Sequence, residues 1–174
     1  MTQLDRSVFA RAPLPPLGDV LDFMRLIWAL DHSLQRTSKR MERALGVTAP
    51  QRFVIRIVGR FPGIPAGELA RFLHIHPSTL TGILGRLERS GVVRRRADPR
   101  DGRRSLLGLT DKGRQFDVAT EETVEAAVAR ALEGMSAGKL QAAREALQSL
   151  AASLANPPVA KLRSAPSTAS RPGA

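Results

Sequence analysis

The chain has 174 residues, 43% of them hydrophobic, which suits one folded domain with tails. Lys and Arg number 27 against 16 Asp and Glu, a net charge of +11, and such an excess points to a polyanionic partner while saying little about fold. The absence of cysteine excludes disulfide scaffolds, Cys-ligated zinc, iron–sulfur clusters and thiol catalysis. The first residues lack the uninterrupted apolar run of a secretory signal. Asp19, Asp22, Arg25 and Asp31 interrupt the longest apolar stretch near the start, so no segment is expected to span a bilayer. The expectation is a soluble cytoplasmic protein with no cofactor and no membrane partner. The charge is local: residues 47–114 carry +9, residues 115–155 carry −3 and residues 156–174 carry +3.

Residues 1–16 are Pro-rich and unpatterned, and are expected to form a flexible arm. From Leu17, apolar residues recur at Val20, Leu21, Met24, Ile27, Trp28, Leu34, Met41 and Leu45, which predicts one long helix over 17–46 ending at Gly46. A helix of that length spans two modules or packs against a second copy. Thr48, Pro50 and Gln51 form a capping-box pattern for the next helix. Its Phe53, Val54, Ile57, Val58 and Phe61 are expected inward, with Arg52, Arg56 and Arg60 outward.

A short helix carrying Leu69, Ala70 and Leu73 follows, then a break at His74–His76 and a helix from Pro77 to about Ser90. Residues 92–96 and 105–109 read as two strands, and Asp98-Pro-Arg-Asp-Gly-Arg103 has the turn chemistry of a hairpin. Thr110 caps a predicted long helix bearing Phe116, Val118, Val124, Val128 and Leu132, which Gly134 ends. Ser136 caps a last helix with Leu140, Ala143, Leu147, Leu150 and Leu154. The Pro-, Ser- and Ala-rich residues 156–174 are expected to be a disordered basic tail.

A short helix, a tight break, a second helix and an arginine-rich hairpin together make a winged helix-turn-helix. The fold class is therefore mainly α with a small β-hairpin wing, flanked by long N- and C-terminal helices. A helix entering a major groove about 12 Å wide needs small or hydrogen-bonding side chains outside. Leu80, Ile83, Leu84 and Leu87 form the inward stripe of the second helix, which leaves Ser78, Thr79, Thr81, Gly82, Gly85 and Arg86 outside. Each glycine costs about 1 kcal/mol relative to Ala in a helix, and in return leaves a bare surface for close approach to a duplex. An arginine at the hairpin tip can enter the adjacent minor groove.

Glu68-Leu-Ala, Pro77-Ser-Thr-Leu-Thr, Arg86-Leu-Glu-Arg-Ser-Gly-Val-Val, Asp98-Pro-Arg-Asp-Gly-Arg-Arg and Leu109-Thr-Asp-Lys-Gly113 follow one another in the order of the MarR family of regulators, which the chain resembles over residues 17–154. The resemblance implies a homodimeric transcription factor, most often a repressor, bound to a pseudo-palindromic operator in double-stranded DNA. It places duplex contact on 47–114 and dimerisation on 17–46 and 115–155. It implies that Asp98 braces the wing and that Arg100 or Arg103 enters the minor groove. The DNA-binding set is accordingly His76, Pro77, Ser78, Thr79, Thr81, Gly82, Arg86, Arg100, Arg103 and Arg104. Members often bind small anions between their lobes. An aromatic ring at Trp28 near Arg52 or Arg56 suits an aromatic or anionic ligand, while a place in the core or dimer seam is the alternative role for Trp28.

Other patterns carry less. Arg94–Arg96 would also serve as a charged strand edge. His74 and His76 have only His32 to complete a metal set, so a structural or phosphate-contacting role is expected for them. Gly134-Met-Ser-Ala-Gly138 matches a serine-hydrolase elbow, yet a helix precedes Ser136 and every histidine lies at or before residue 76. Ser136 is expected to be a helix cap, and no enzymatic activity is expected. The rival from another class is a DNA-compacting protein indifferent to sequence.

Overall fold

The computed structural model describes residues 16–155. The basic tail at 156–174 and all but the last residue of the arm at 1–16 lie outside the described residues. The chain divides into two compact units after Ala129.

Helix α1 runs Asp19–Leu45 and ends where Gly46, at φ 73°, turns left-handed and bonds back to Glu42 O. The capping box at Thr48 is in place: Gln51 N–H donates to Thr48 Oγ1 and Thr48 N–H to Gln51 Oε1. It opens α2 (Ala49–Arg60). Ser38 Oγ accepts from Ala49 N–H at 2.9 Å, which ties the start of α2 to α1.

The orientation of α2 differs from the expected one. Its buried stripe is Arg52, Val54, Ile55 and Val58, whereas Phe53 and Phe61 are exposed. Phe61 instead meets Phe72 edge to face, with centroids 6.0 Å apart. The helix is turned because it has neighbours on two sides: the helix-turn-helix core along Val54, Ile55 and Val58, and the segment after residue 116 along Arg52 and Arg56.

Helices α3 (Ala66–Phe72) and α4 (Pro77–Arg89) form the helix-turn-helix. Between them His74 adopts φ 52°, a left-handed conformation that histidine tolerates better than branched residues do. Leu69, Ala70, Leu80, Leu84 and Leu87 meet Val54, Ile55 and Val58 of α2 in one core, closed by Val92, Val93, Leu107 and Leu109 of the hairpin. Strands β1 (Val93–Asp98) and β2 (Asp101–Leu109) pair antiparallel, and an isolated bridge from Pro65 to Leu106 adds a third, minimal strand.

The hairpin is longer and tighter than its turn residues predict. Ala97 pairs with Ser105 and Asp98 with Asp101, so Pro99 and Arg100 are the tip and residues 102–104 form an irregularity in β2. Pairing can continue to Asp98 because its own carboxylate closes the turn, Oδ1 accepting from Arg100 N–H at 2.9 Å.

The long helix expected after Thr110 is two helices, α5 (Asp111–Phe116) and α6 (Val124–Leu132), with a loop between them. α-helical bonding fails after Phe116 because Arg52 and Arg56 take the carbonyls of Phe116, Asp117 and Val118. Thr123 restarts the helix, its Oγ1 accepting from Ala126 N–H. In the second unit α7 (Ala137–Ala155) begins at Ser136, whose Oγ accepts from Lys139 N–H.

Thr110 and Gly113 lock α5 onto the sheet. Thr110 Oγ1 donates to Gly91 O and accepts from Gly113 N–H, while a Cβ on Gly113 would stand 2.1 Å from Val92 O. Gly113→Ala is expected to lower stability in urea titration by about 1–3 kcal/mol through overpacking. Gly138→Ala, in open space on α7, is expected to be neutral or stabilising by up to about 1 kcal/mol.

Candidate nucleic-acid interface

The N-terminus of α4 is built around His76. Ser78 N–H donates to His76 Nδ1 at 3.2 Å, so the imidazole acts as the N-cap. With Nδ1 accepting, the neutral ring keeps its proton on Nε2, which leaves an exposed residue with a donor to offer. Ser78 Oγ also lies 2.7 Å from Nδ1. Thr81 Oγ1 donates to Pro77 O at 2.9 Å, and its remaining capacity is therefore as an acceptor. Pro77, Thr79, Gly82 and Arg86 are exposed along the same helix. A Cβ on Gly82 or on Gly85 would meet nothing within 4 Å. Packing demands neither glycine, so their effect is to leave the helix surface bare.

On the hairpin, Arg94, Arg96 and Arg100 are exposed, and none of their side chains has a partner among the described residues. Arg103 belongs to β2, and its side chain lies outside the described residues. Asp98 stands at the turn with its carboxylate on Arg100 N–H. Arg104 is engaged by Glu68 of α3, and Arg95 by Glu88 of α4. The residues expected to contact DNA therefore fall on two neighbouring elements: α4 with its cap, and the wing. Lys112 adds a tie between α5 and α4, its Nζ donating to Ser90 O at 2.9 Å.

Of the residues named for a ligand pocket, both arginines are already engaged. Arg52, expected on a solvent-facing side, is 1% exposed and spends its guanidinium on Glu125, Phe116 O and Val118 O. Arg56 is bound to the Asp117 carboxylate and carbonyl, while Trp28 is 72% exposed on α1. A strongly charged side chain reads as surface in a sequence, and only the acceptors brought from residues 116–125 make the burial tolerable.

Periodicity also gave no sign of Glu68 and Glu88 as partners of the wing, or of Gly59, where a Cβ would stand 2.0 Å from Asp117 Oδ2. A signal for the first two did exist: they are the only acidic residues between 47 and 92.

The fold and this surface define a winged helix-turn-helix protein. The MarR family model matches residues 47–105. The HTH-type transcriptional repressor Rv2887 of Mycobacterium tuberculosis is 33% identical over 106 residues, 61% of this chain and 76% of that protein. The transcriptional activatory protein BadR of Rhodopseudomonas palustris is 34% identical over 108 residues, covering 60% of this chain and 61% of its own. Among solved structures, the S. aureus MepR–DNA complex superposes with a TM-score of 0.64 at 19% identity, over 76% of this chain and 97% of the other. A MarR protein from Peptoclostridium difficile gives 0.65 at 18% identity, over 83% and 94%. The chain belongs to the MarR family.

Arg52→Leu takes the donor from the part-buried Phe116 and Val118 carbonyls and the partner from Glu125, and is expected to lower stability by about 1–3 kcal/mol in urea titration. Arg86→Leu, at an exposed residue with no described partner, is expected to change stability by no more than about 0.5 kcal/mol.

Proposed function

We propose that the protein is a DNA-binding transcriptional regulator, acting as a repressor, whose homodimer places two α4 helices in successive major grooves of a pseudo-palindromic duplex. The observation that carries this reading is the bare, hydroxyl-bearing surface of α4 beside a hairpin on which the exposed Arg94, Arg96 and Arg100 have no described partner. His76, Pro77, Ser78, Thr79, Thr81, Gly82 and Arg86 would contact the major groove and its flanking phosphates. Arg100, Arg103 and Arg104 would serve the wing and Asp98 would hold its tip. The repressor assignment follows the name of the mycobacterial relative; BadR carries the name of an activator. The DNA-bound MepR structure shows that a protein of this fold meets a duplex.

The domain scheme belongs to the same proposal: dimerisation by 17–46 and 115–155, duplex binding by 47–114. Support comes from the exposed apolar residues of α1, among them Leu21, Phe23, Met24 and Leu30, and from Leu147 and Leu154 of α7. Such surfaces mark contact with another chain. No helix among the described residues is long and apolar enough to cross a membrane. Release by an aromatic or anionic ligand held by Trp28, Arg52 and Arg56 is not part of the proposal, because both guanidiniums are already engaged.

A duplex recovered by selection from a random pool is expected to outcompete random duplex by roughly 10³-fold or more. Equal competition would contradict specific regulation and fit a sequence-indifferent compacting protein. With the selected duplex, Arg86→Ala and Arg103→Ala should each weaken binding by roughly 5- to 150-fold, the equivalent of about 1–3 kcal/mol, while Arg144→Ala on α7 leaves it unchanged. Gly82→Ala is expected to raise thermal stability, since Ala is favoured by about 1 kcal/mol in a helix, yet to weaken duplex binding by crowding the α4 surface.

A further inference from the structure

Residues 47–92 contain two acidic side chains, Glu68 and Glu88, and both are bound to arginines of the wing. Glu68 lies on α3 and takes Arg104 of β2; Glu88 lies on α4 and takes Arg95 of β1. Each helix of the helix-turn-helix thus holds one strand of the hairpin. Between α3 and the hairpin runs an open groove of about 560 Å³, lined by Pro65, Glu68, Arg71, Arg95, Arg104 and Ser105 among others. Arg71 has no described partner in it.

The four paired side chains are between 31% and 46% exposed. Ion pairs as exposed as these add little to fold stability, so stability does not account for placing the region's only two carboxylates on wing arginines. A phosphate oxygen can take the place of a carboxylate oxygen on a guanidinium with the same charge-assisted hydrogen bond. Glu68 and Glu88 therefore compete with any nucleic-acid backbone for Arg104 and Arg95.

We propose that Glu68 and Glu88 are specificity-determining residues that act through Arg104 and Arg95, withholding them from sequence-independent phosphate binding and fixing the wing relative to α4. The inference rests on the DNA-binding reading. Non-specific affinity comes from neutralised phosphates, and a freely swinging arginine finds one wherever the duplex lies. An arginine held by a carboxylate contributes only where a phosphate is positioned to displace that carboxylate. That condition is met when α4 is seated in its own sequence and not when the protein rests elsewhere on DNA. The carboxylates lower both affinities, and lower the non-specific one more.

The test uses the full chain, a selected duplex and a random-sequence duplex, with affinity measured over a salt series. In Glu68→Gln/Glu88→Gln, affinity for random duplex should rise by roughly 3- to 30-fold, with log K against log salt steeper by up to about 2, at about 0.9 per added phosphate contact. Affinity for the selected duplex should change less, so that discrimination falls. Glu42→Gln, at an exposed residue of α1, removes the same charge and should alter neither slope nor discrimination. An unchanged slope, an equal loss on both duplexes, or the same change in Glu42→Gln would overturn the inference and leave the DNA-binding reading intact. Failure of the parent protein to bind either duplex would refute that reading itself. Melting curves that match the parent's exclude misfolding as the source of any change.

Discussion

A buried guanidinium must be surrounded by acceptors, because an unmatched charge away from water costs several kcal/mol. Arg52 imposes that condition on this fold. Its nitrogens reach Glu125 and the carbonyls of Phe116 and Val118, and Arg56 one turn on takes Asp117. The Phe116 carbonyl ends α5, where cations interact favourably with the helix dipole, and the Val118 carbonyl lies two residues beyond it. Two arginines of α2 thereby define where α5 stops, and seven residues, 117–123, with Glu122 at φ 64°, separate it from the start of α6 at Val124. Gly59 is the counterpart in α2, since any side chain there would collide with the Asp117 carboxylate.

The same helix carries the winged helix-turn-helix on its other side. Val54, Ile55 and Val58 pack against α3, α4 and the hairpin in one apolar cluster. Gly113 lets α5 lie directly on Val92, and Lys112 closes the end of α4. Helix α4 and the wing are therefore held by shared packing as well as by the Glu68 and Glu88 pairs. A surface that reads a duplex needs that rigidity, because helix and wing must meet adjacent grooves at a fixed separation.

The sequence disclosed most where one residue type has one physical job. Gly46, the Thr48–Gln51 box, the break at His74–His76 and the Leu80–Leu84–Leu87 stripe could all be read directly, as could the two-stranded wing. What stayed hidden depends on contacts between distant residues. The phase of α2 escapes periodicity because Arg52 looks like surface until residues 116–125 bring it acceptors. The α5–α6 break escapes it for the same reason, since Phe116, Val118 and Val124 keep a helical spacing through a loop. Within the Asp98–Arg103 turn stretch, the tip falls at Pro99-Arg100 because the Asp98 carboxylate closes the turn there. In the candidate interface, residue types on α4 pointed to exposed positions correctly, whereas the carboxylate partners of the wing emerge only in three dimensions.

Two α4 helices with their wings acting as one duplex reader is the central claim, and hydroxyl-radical footprinting of a selected duplex tests it most directly. The account predicts two symmetry-related protected patches whose centres lie about 10 bp apart, roughly one helical turn. Uniform protection along the duplex, or a single patch without a symmetric mate, would contradict it.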